Sequence, residues 1–173
     1  MLVGVAVLLA VVLAWVLVRP PSGLPQAQVG KTAPDFSFTD LSGNNHQLAA
    51  YEGHPIVLWW VATYCSTCGQ GTQYFATNYA AQYGSAGITL LEVESYNDLG
   101  QPGPSLSSFA SQNGYVASPL WVLGAGSSGG TTTYNPDSYM DAYYVINSGG
   151  TVIDTGTNLP ASFPAALQEA QGT

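Results

Sequence analysis

An α/β fold follows from three features of the sequence: an unbroken apolar run at 55–62, a helical repeat directly after it, and a second apolar run at 88–95. The run from Pro55 to Ala62 is rich in β-branched and aromatic residues and has no polar alternation, the pattern of a central strand covered on both faces. Cys68, Thr72, Phe75, Tyr79 and Tyr83 then recur at spacings of four, three, four and four, which places them on one face of a helix. Ile88 to Ser95 reads as a second strand, parallel to the first.

Taken in chain order, the first element is residues 2–18, which carry no polar or charged side chain and end at Arg19-Pro20-Pro21. As a helix this run is about 25 Å long, at the short end of what spans a bilayer. It lacks a lysine-rich start and a clear small-x-small cleavage site, so an uncleaved anchor at 1–19 is favoured over a cleaved signal. Residues 20–29, rich in proline and polar side chains, read as a stiff tether, and 30–173 as one domain. The positive-inside rule has almost nothing to count here, since Arg19 lies on the wrong side for an inward-facing start. An N-terminal apolar segment, a cysteine pair suited to disulfide traffic and a charged fraction of only 7% place the domain outside the cytoplasm, or secreted if 1–19 is removed.

Beyond the second strand, Pro104 to Asn113 reads as a short helix with a serine-rich start, and Pro119 to Leu123 as a short apolar run. Gly124 to Ser138, rich in Gly, Ser and Thr, reads as a long surface loop or a partner-binding flap near the site. Asp141–Ile146 and Thr151–Asp154 flank Asn147-Ser148-Gly149-Gly150 as a β-hairpin, and Ser162 with Pro164 opens a terminal helix through Gln171.

The only two cysteines, Cys65 and Cys68, stand at the turn between the first strand and its helix. Unpaired backbone N–H groups at a helix start stabilise a thiolate, which makes Cys65 the expected nucleophile. Cys68, one turn further and on the core-facing stripe, is the expected resolving thiol. A purely structural disulfide gains little, because so short a loop removes little unfolded-state entropy. A zinc or copper site is the other reading of C-x-x-C, but His46 and His54 lie upstream and eight apart, outside metal-ligand spacing, and no metal or cofactor is expected.

Two basic residues, Arg19 and Lys31, stand against ten acids, for a net charge of −8, which excludes nucleic-acid binding. The same scarcity leaves the Cys65 thiolate to the helix start and to a hydrogen bond from Cys68, a modest stabilisation. A surface poor in charge and rich in Ser, Thr, Tyr, Gly and Gln also suits an acidic exterior.

The segments Ala33-Pro34-Asp35-Phe36-Ser37-Phe38-Thr39-Asp40-Leu41-Ser42-Gly43 and Tyr51-Glu52-Gly53-His54-Pro55 through Cys65 resemble the opening of the membrane-anchored thioredoxin-like thiol:disulfide oxidoreductases of the TlpA/ResA kind, within the redoxin superfamily. The resemblance implies a thioredoxin-like fold with an added N-terminal β-hairpin, into which Phe36, Phe38 and the Leu41–Asn45 turn fit. It implies disulfide exchange with protein thiols through Cys65 and Cys68, without a cofactor.

The chain departs from that pattern in several places. The position of the family's cis-proline aligns with Asp141, preceded by Met140, so these two residues become the candidate substrate groove, unless a rearranged loop brings Pro136 there. The buried acid of thioredoxins falls on Trp59, and the glutamate that the anchored group carries after its second cysteine falls on Gly71. Glu92, on the adjacent strand, is a candidate substitute that takes the Cys68 proton, against the plainer reading of a solvated strand residue. The sequence therefore supports a thiol-disulfide oxidoreductase working on extracytoplasmic proteins, with a redox-inactive thioredoxin-fold interaction module holding a structural disulfide as the alternative. A peroxiredoxin is weaker, since Ala62-Thr63-Tyr64-Cys65 lacks the Thr-x-x-Cys spacing.

Overall fold

The computed structural model describes residues 26–172. The expected anchor at 1–19 and most of the 20–29 tether lie outside the described residues, and no described helix is long and apolar enough to cross a membrane. Packing onto the domain is already present at Ala27, whose N–H donates to Thr133 O at 3.2 Å.

Among the described residues, seven strands form one mixed sheet: β1 (Ser37–Asp40), β2 (Asn45–Gln47), β3 (Ile56–Val61), β4 (Thr89–Glu94), β5 (Trp121–Gly126), β6 (Asp141–Ile146) and β7 (Val152–Thr157), in the order β2-β1-β5-β4-β3-β6-β7. β3, β4 and β5 run parallel, while β6 runs antiparallel to β3. The expected hairpin is present: β1 and β2 pair antiparallel around Gly43, and the Asp40 carboxylate accepts the Ser42 and Asn44 N–H groups at 2.8 Å each to close the turn. β1 also pairs with β5 and so extends the sheet edge.

The helices are α1 (Ser66–Asn78), α2 (Ala80–Ser85), α3 (Leu106–Gln112), α4 (Ser128–Tyr134) and α5 (Leu159–Gln171). Side chains alternate along β3, so Val57, Trp59 and Val61 face one core with Phe75, Tyr83, Phe109 and Phe163, while Ile56, Leu58 and Trp60 face the other with Phe36 and Tyr134. All six β3 residues are buried, as a strand covered on both faces requires.

Three expectations are corrected. The helical repeat from Cys68 to Tyr83 is broken at Tyr79, whose backbone leaves helical geometry between α1 and α2, although Tyr83 still reaches the core. The terminal helix starts at Leu159 rather than Ser162, with Pro160 in its first turn, where a missing N–H costs nothing. Residues 124–134, expected as loop or flap, are the end of β5 followed by α4, and only 135–138 of the segment form a turn. The glycines there serve close packing: a Cβ on Gly124 would lie 2.7 Å from Thr39 O, and one on Gly126 2.6 Å from the Trp60 ring. Gly130 likewise lets α4 lie against Phe36.

Candidate active site

The parallel strands end where α1 begins, and Cys65 occupies the N-cap of α1 with extended backbone (φ −78°, ψ 105°). Its Sγ accepts the Cys68 N–H at 3.2 Å and lies 3.2 Å from Thr67 Oγ1. The thiolate support expected from the helix start is thus a backbone donor, and the Thr67 hydroxyl adds a second that the sequence reading did not assign. Cys65 and Cys68 are joined as a disulfide with Cα atoms 5.2 Å apart.

The two sulfurs differ in access. Cys68 is fully buried, whereas Cys65 is 4% exposed and lines two cavities. One, of about 370 Å³, is bounded by Thr67, Tyr139, Met140, Asp141, Thr157 and Asn158; the other, of about 290 Å³, lies on the Thr63, Pro104 and Asn113 side. Met140 and Asp141 therefore line the same cavity as Cys65. Tyr139 and Met140 are about half exposed and form an apolar lip there. Met140 O accepts the Ala62 N–H at 3.1 Å and lies 3.2 Å from Cys68 Sγ, placed to accept a hydrogen bond from the thiol once the pair is reduced.

Pro136 does not take the cis-proline position. It is exposed, lines a separate cavity with Gln26 and Ala27, and no peptide bond among the described residues is cis. α4 ends at Tyr134, two residues before it, and Pro136 lines neither of the two cavities that Cys65 lines.

Glu92 is not a solvated strand residue. It is completely buried, accepting the Trp121 indole N–H at 3.1 Å and lying 2.6 Å from Thr72 Oγ1. Thr72 Oγ1 is also 3.1 Å from Cys68 O. One hydroxyl has one proton, so both contacts are hydrogen bonds together only when a protonated Glu92 donates to Thr72 and Thr72 donates to Cys68 O. Burial pushes the Glu92 carboxyl up to about 7, against the opposing hydrogen bonds of Thr72 and Trp121 and with a smaller contribution from the charge of Asp141. Glu92 thus reaches the Cys68 main chain through one hydroxyl, on the face of the sheet shared with both cysteines.

The departures at Trp59 and Gly71 are linked sterically. A Cβ on Gly71 would run into Pro160 and stand 2.9 Å from the Trp59 ring, so the space a glutamate side chain needs is filled by these two residues. Asp141 accepts the Trp59 indole N–H at 2.7 Å and the Leu159 N–H at 3.2 Å, and burial raises its carboxyl pKa against those bonds.

No three His, Cys, Asp or Glu side chains among the described residues gather as a cation site. His46 instead lies 3.0 Å from Asp40 and 2.7 Å from Tyr51 OH on the hairpin, and His54 is exposed. The one described Lys or Arg, Lys31, pairs by its backbone with Val152, at the end of the sheet opposite Cys65.

A mixed sheet with parallel central strands, closed by an antiparallel hairpin and with a C-x-x-C pair capping the helix that follows the central strand, is a thioredoxin-like fold. A family model for AhpC/TSA matches residues 29–123, more than half of the sequence, and the chain belongs to the AhpC/TSA family. It is 36% identical over 86 residues to the thiol-disulfide oxidoreductase ResA of Geobacillus kaustophilus, covering 50% of this chain and 47% of that protein. It is 32% identical over 118 residues to the thiol:disulfide interchange protein DsbE of Vibrio cholerae, covering 61% and 60%. The aligned region thus spans about half the length of the first curated relatives. Among solved structures, the peroxidoxin BcpB of Mycobacterium tuberculosis shares the fold with a TM-score of 0.63 at 16% identity, covering 85% of this chain and 98% of that one. A thiol:disulfide interchange protein from Bacteroides sp. does so with a TM-score of 0.62 at 16% identity, covering 85% and 93%.

Proposed function

We propose that the protein is a thiol-disulfide oxidoreductase that exchanges electrons with extracytoplasmic protein partners through Cys65 and Cys68. The observation that carries this reading is the asymmetry of the pair: Cys65 caps a helix and opens onto two cavities, while Cys68 is sealed behind it. In the reducing direction, the Cys65 thiolate attacks a partner disulfide and forms a mixed disulfide, releasing one partner thiolate. Cys68 then loses its proton and attacks Cys65 Sγ, which releases the second partner thiolate and leaves the pair oxidised with two electrons transferred. In this scheme Glu92, in its ionised form, takes the Cys68 proton, a role supported by a carboxyl near 7 and by its place beside Trp59 on the sheet face shared with both cysteines. Met140 and Asp141 line the groove that receives the partner.

Residues 1–19 act as a membrane anchor and 20–29 as its tether to a domain reaching to 173, a reading supported by the apolar run at 2–18. Trapping tests the chemistry: Cys68→Ser should accumulate a mixed disulfide on Cys65 with an added peptide disulfide, seen by mass, and absence of the adduct would contradict the scheme. For location, the full chain should stay with membranes through an alkaline wash, with its reduced thiols open to an impermeant maleimide from outside. A chain released by the wash, or labelled only after lysis, would overturn the location.

A further inference from the structure

We propose that Asp98 is a positioning residue for the nucleophile, holding the turn that carries Cys65 through a clamp on Thr63; the inference rests on Cys65 being the attacking thiol. Between β4 and α3, Asn97, Asp98 and Leu99 take consecutive left-handed conformations, with φ of 51°, 48° and 56°, and Gly100 follows at 79°. Left-handed backbone crowds the Cβ of an L-amino acid against its own carbonyl, so three such residues in succession persist only where the surroundings over-determine them. The turn is tied from two sides: Ser95 N–H donates to Val61 O at 2.8 Å, and Tyr96 N–H to Thr131 Oγ1 at 2.8 Å.

This backbone drives the Asp98 side chain inward, where it is 6% exposed. There it accepts the Thr63 N–H at 2.7 Å and also bonds Thr63 Oγ1, which lies 2.7 Å from Pro104 O. Gly103 keeps the clamp closed, because a Cβ there would collide with Thr63 Oγ1 and Asp98 Oδ2. Thr63 lies within the turn that Cys65 N–H closes on Ala62 O at 3.0 Å, so the clamp fixes the backbone that aims Cys65 Sγ. It also seats Thr63 against Pro104, two walls of the smaller cavity beside Cys65. Glu94 at the end of β4 and Asp141 on β6 are the other acids facing this end of the sheet, and burial with the charge of Asp98 pushes Glu94 up to about 7. A buried carboxylate spent on one threonine of the nucleophile turn, at the expense of a left-handed backbone, is the mark of a geometry held for the site.

The test uses the full chain, reduced, with Thr63→Val, Thr63→Ser and Gly103→Ala, none of which changes a charge. The readouts are the rate of Cys65 alkylation across pH and the midpoint potential, beside thermal stability. Thr63→Val and Gly103→Ala should slow alkylation of the folded protein at neutral pH about tenfold, since misplacing a reacting atom by a fraction of an ångström costs on that order. They should also move the inflection to higher pH, as the Cys68 N–H no longer meets Cys65 Sγ squarely. Thr63→Ser, which keeps the hydroxyl, should behave as the parent chain does. Should Gly103→Ala fail to fold, Thr63→Val, nearly the same shape as the parent, decides alone. Folded Thr63→Val with the parent's rate, inflection and potential would overturn the proposal even if its melting temperature fell. A parent chain whose Cys65 neither alkylates nor exchanges would instead remove the oxidoreductase reading itself.

Discussion

Trp59 donates its indole N–H to Asp141 at 2.7 Å, joining by one hydrogen bond two of the positions at which the chain departs from the thioredoxin pattern. The same Asp141 oxygen accepts the Leu159 N–H at 3.2 Å, so a single carboxylate ties β3, the start of β6 and the start of α5 together. That knot forms part of the wall of the cavity shared with Cys65.

Trp59→Phe keeps a ring in the core, where Trp59 meets Phe163 edge-on at 5.7 Å, but removes the donor to Asp141. Stability should fall by about 1–3 kcal/mol in urea titration, the cost of leaving a buried acceptor short of a partner. The Asp141 carboxyl, already raised by burial, should titrate higher still, as followed by NMR.

Gly71→Ala places a methyl group against Pro160 and Trp59. Overpacking of this kind costs about 1–3 kcal/mol, read as a lower melting temperature. Adding Pro160→Ala should restore part of the loss, because the nearest clash is with the proline ring; no recovery in the double variant would show that the strain lies elsewhere.

Glu92 makes stability fall with rising pH. Its folded carboxyl is held near 7, above the ordinary 4.5, so the folded state retains a proton that the unfolded chain releases between those values. Its contribution is therefore most favourable below about pH 4.5, is lost as pH climbs towards 7, and amounts to about 3 kcal/mol across that span by linkage. Glu92→Gln, which keeps shape and a donor, should flatten the stability profile between pH 5 and 8, as recorded by denaturant unfolding, and should slow disulfide closure by Cys68 if Glu92 takes its proton.

Met140→Ala trims the apolar lip beside Cys65. The expected outcome is a higher KM for a peptide disulfide, with the rate against dithiothreitol within about twofold, since the side chain contributes to binding a partner and not to the sulfur chemistry. Equal losses with the peptide disulfide and with dithiothreitol would argue against a groove.

Much of this was legible from residue pattern. The apolar run into Cys65, the Cys68-to-Phe75 face and the Asn147–Gly150 turn each had a local signal, and each element formed where its pattern lay. Glu92 was harder, because Glu92 and Glu94 alternate with Leu91 and Val93 as a solvated face would; its burial depends on Thr72 and Trp121, which arrive from other elements. The 124–138 segment misled by composition, since glycines that admit Phe38, Trp60 and Phe36 at close range look the same in sequence as glycines of a loop. Asp98 gave no local signal at all: its role exists only because three left-handed residues turn it towards Thr63.

The most direct test of disulfide exchange is equilibration of the full chain against glutathione and dithiothreitol buffers, with thiol trapping and mass readout of Cys65 and Cys68. The account predicts a reversible two-electron transition in the folded protein, and the midpoint gives the direction of electron flow: near or below about −220 mV for a reductant, well above about −180 mV for an oxidant. A pair that stays oxidised for hours in the folded state, opening only on unfolding, would contradict it and leave Cys65–Cys68 as a structural bridge.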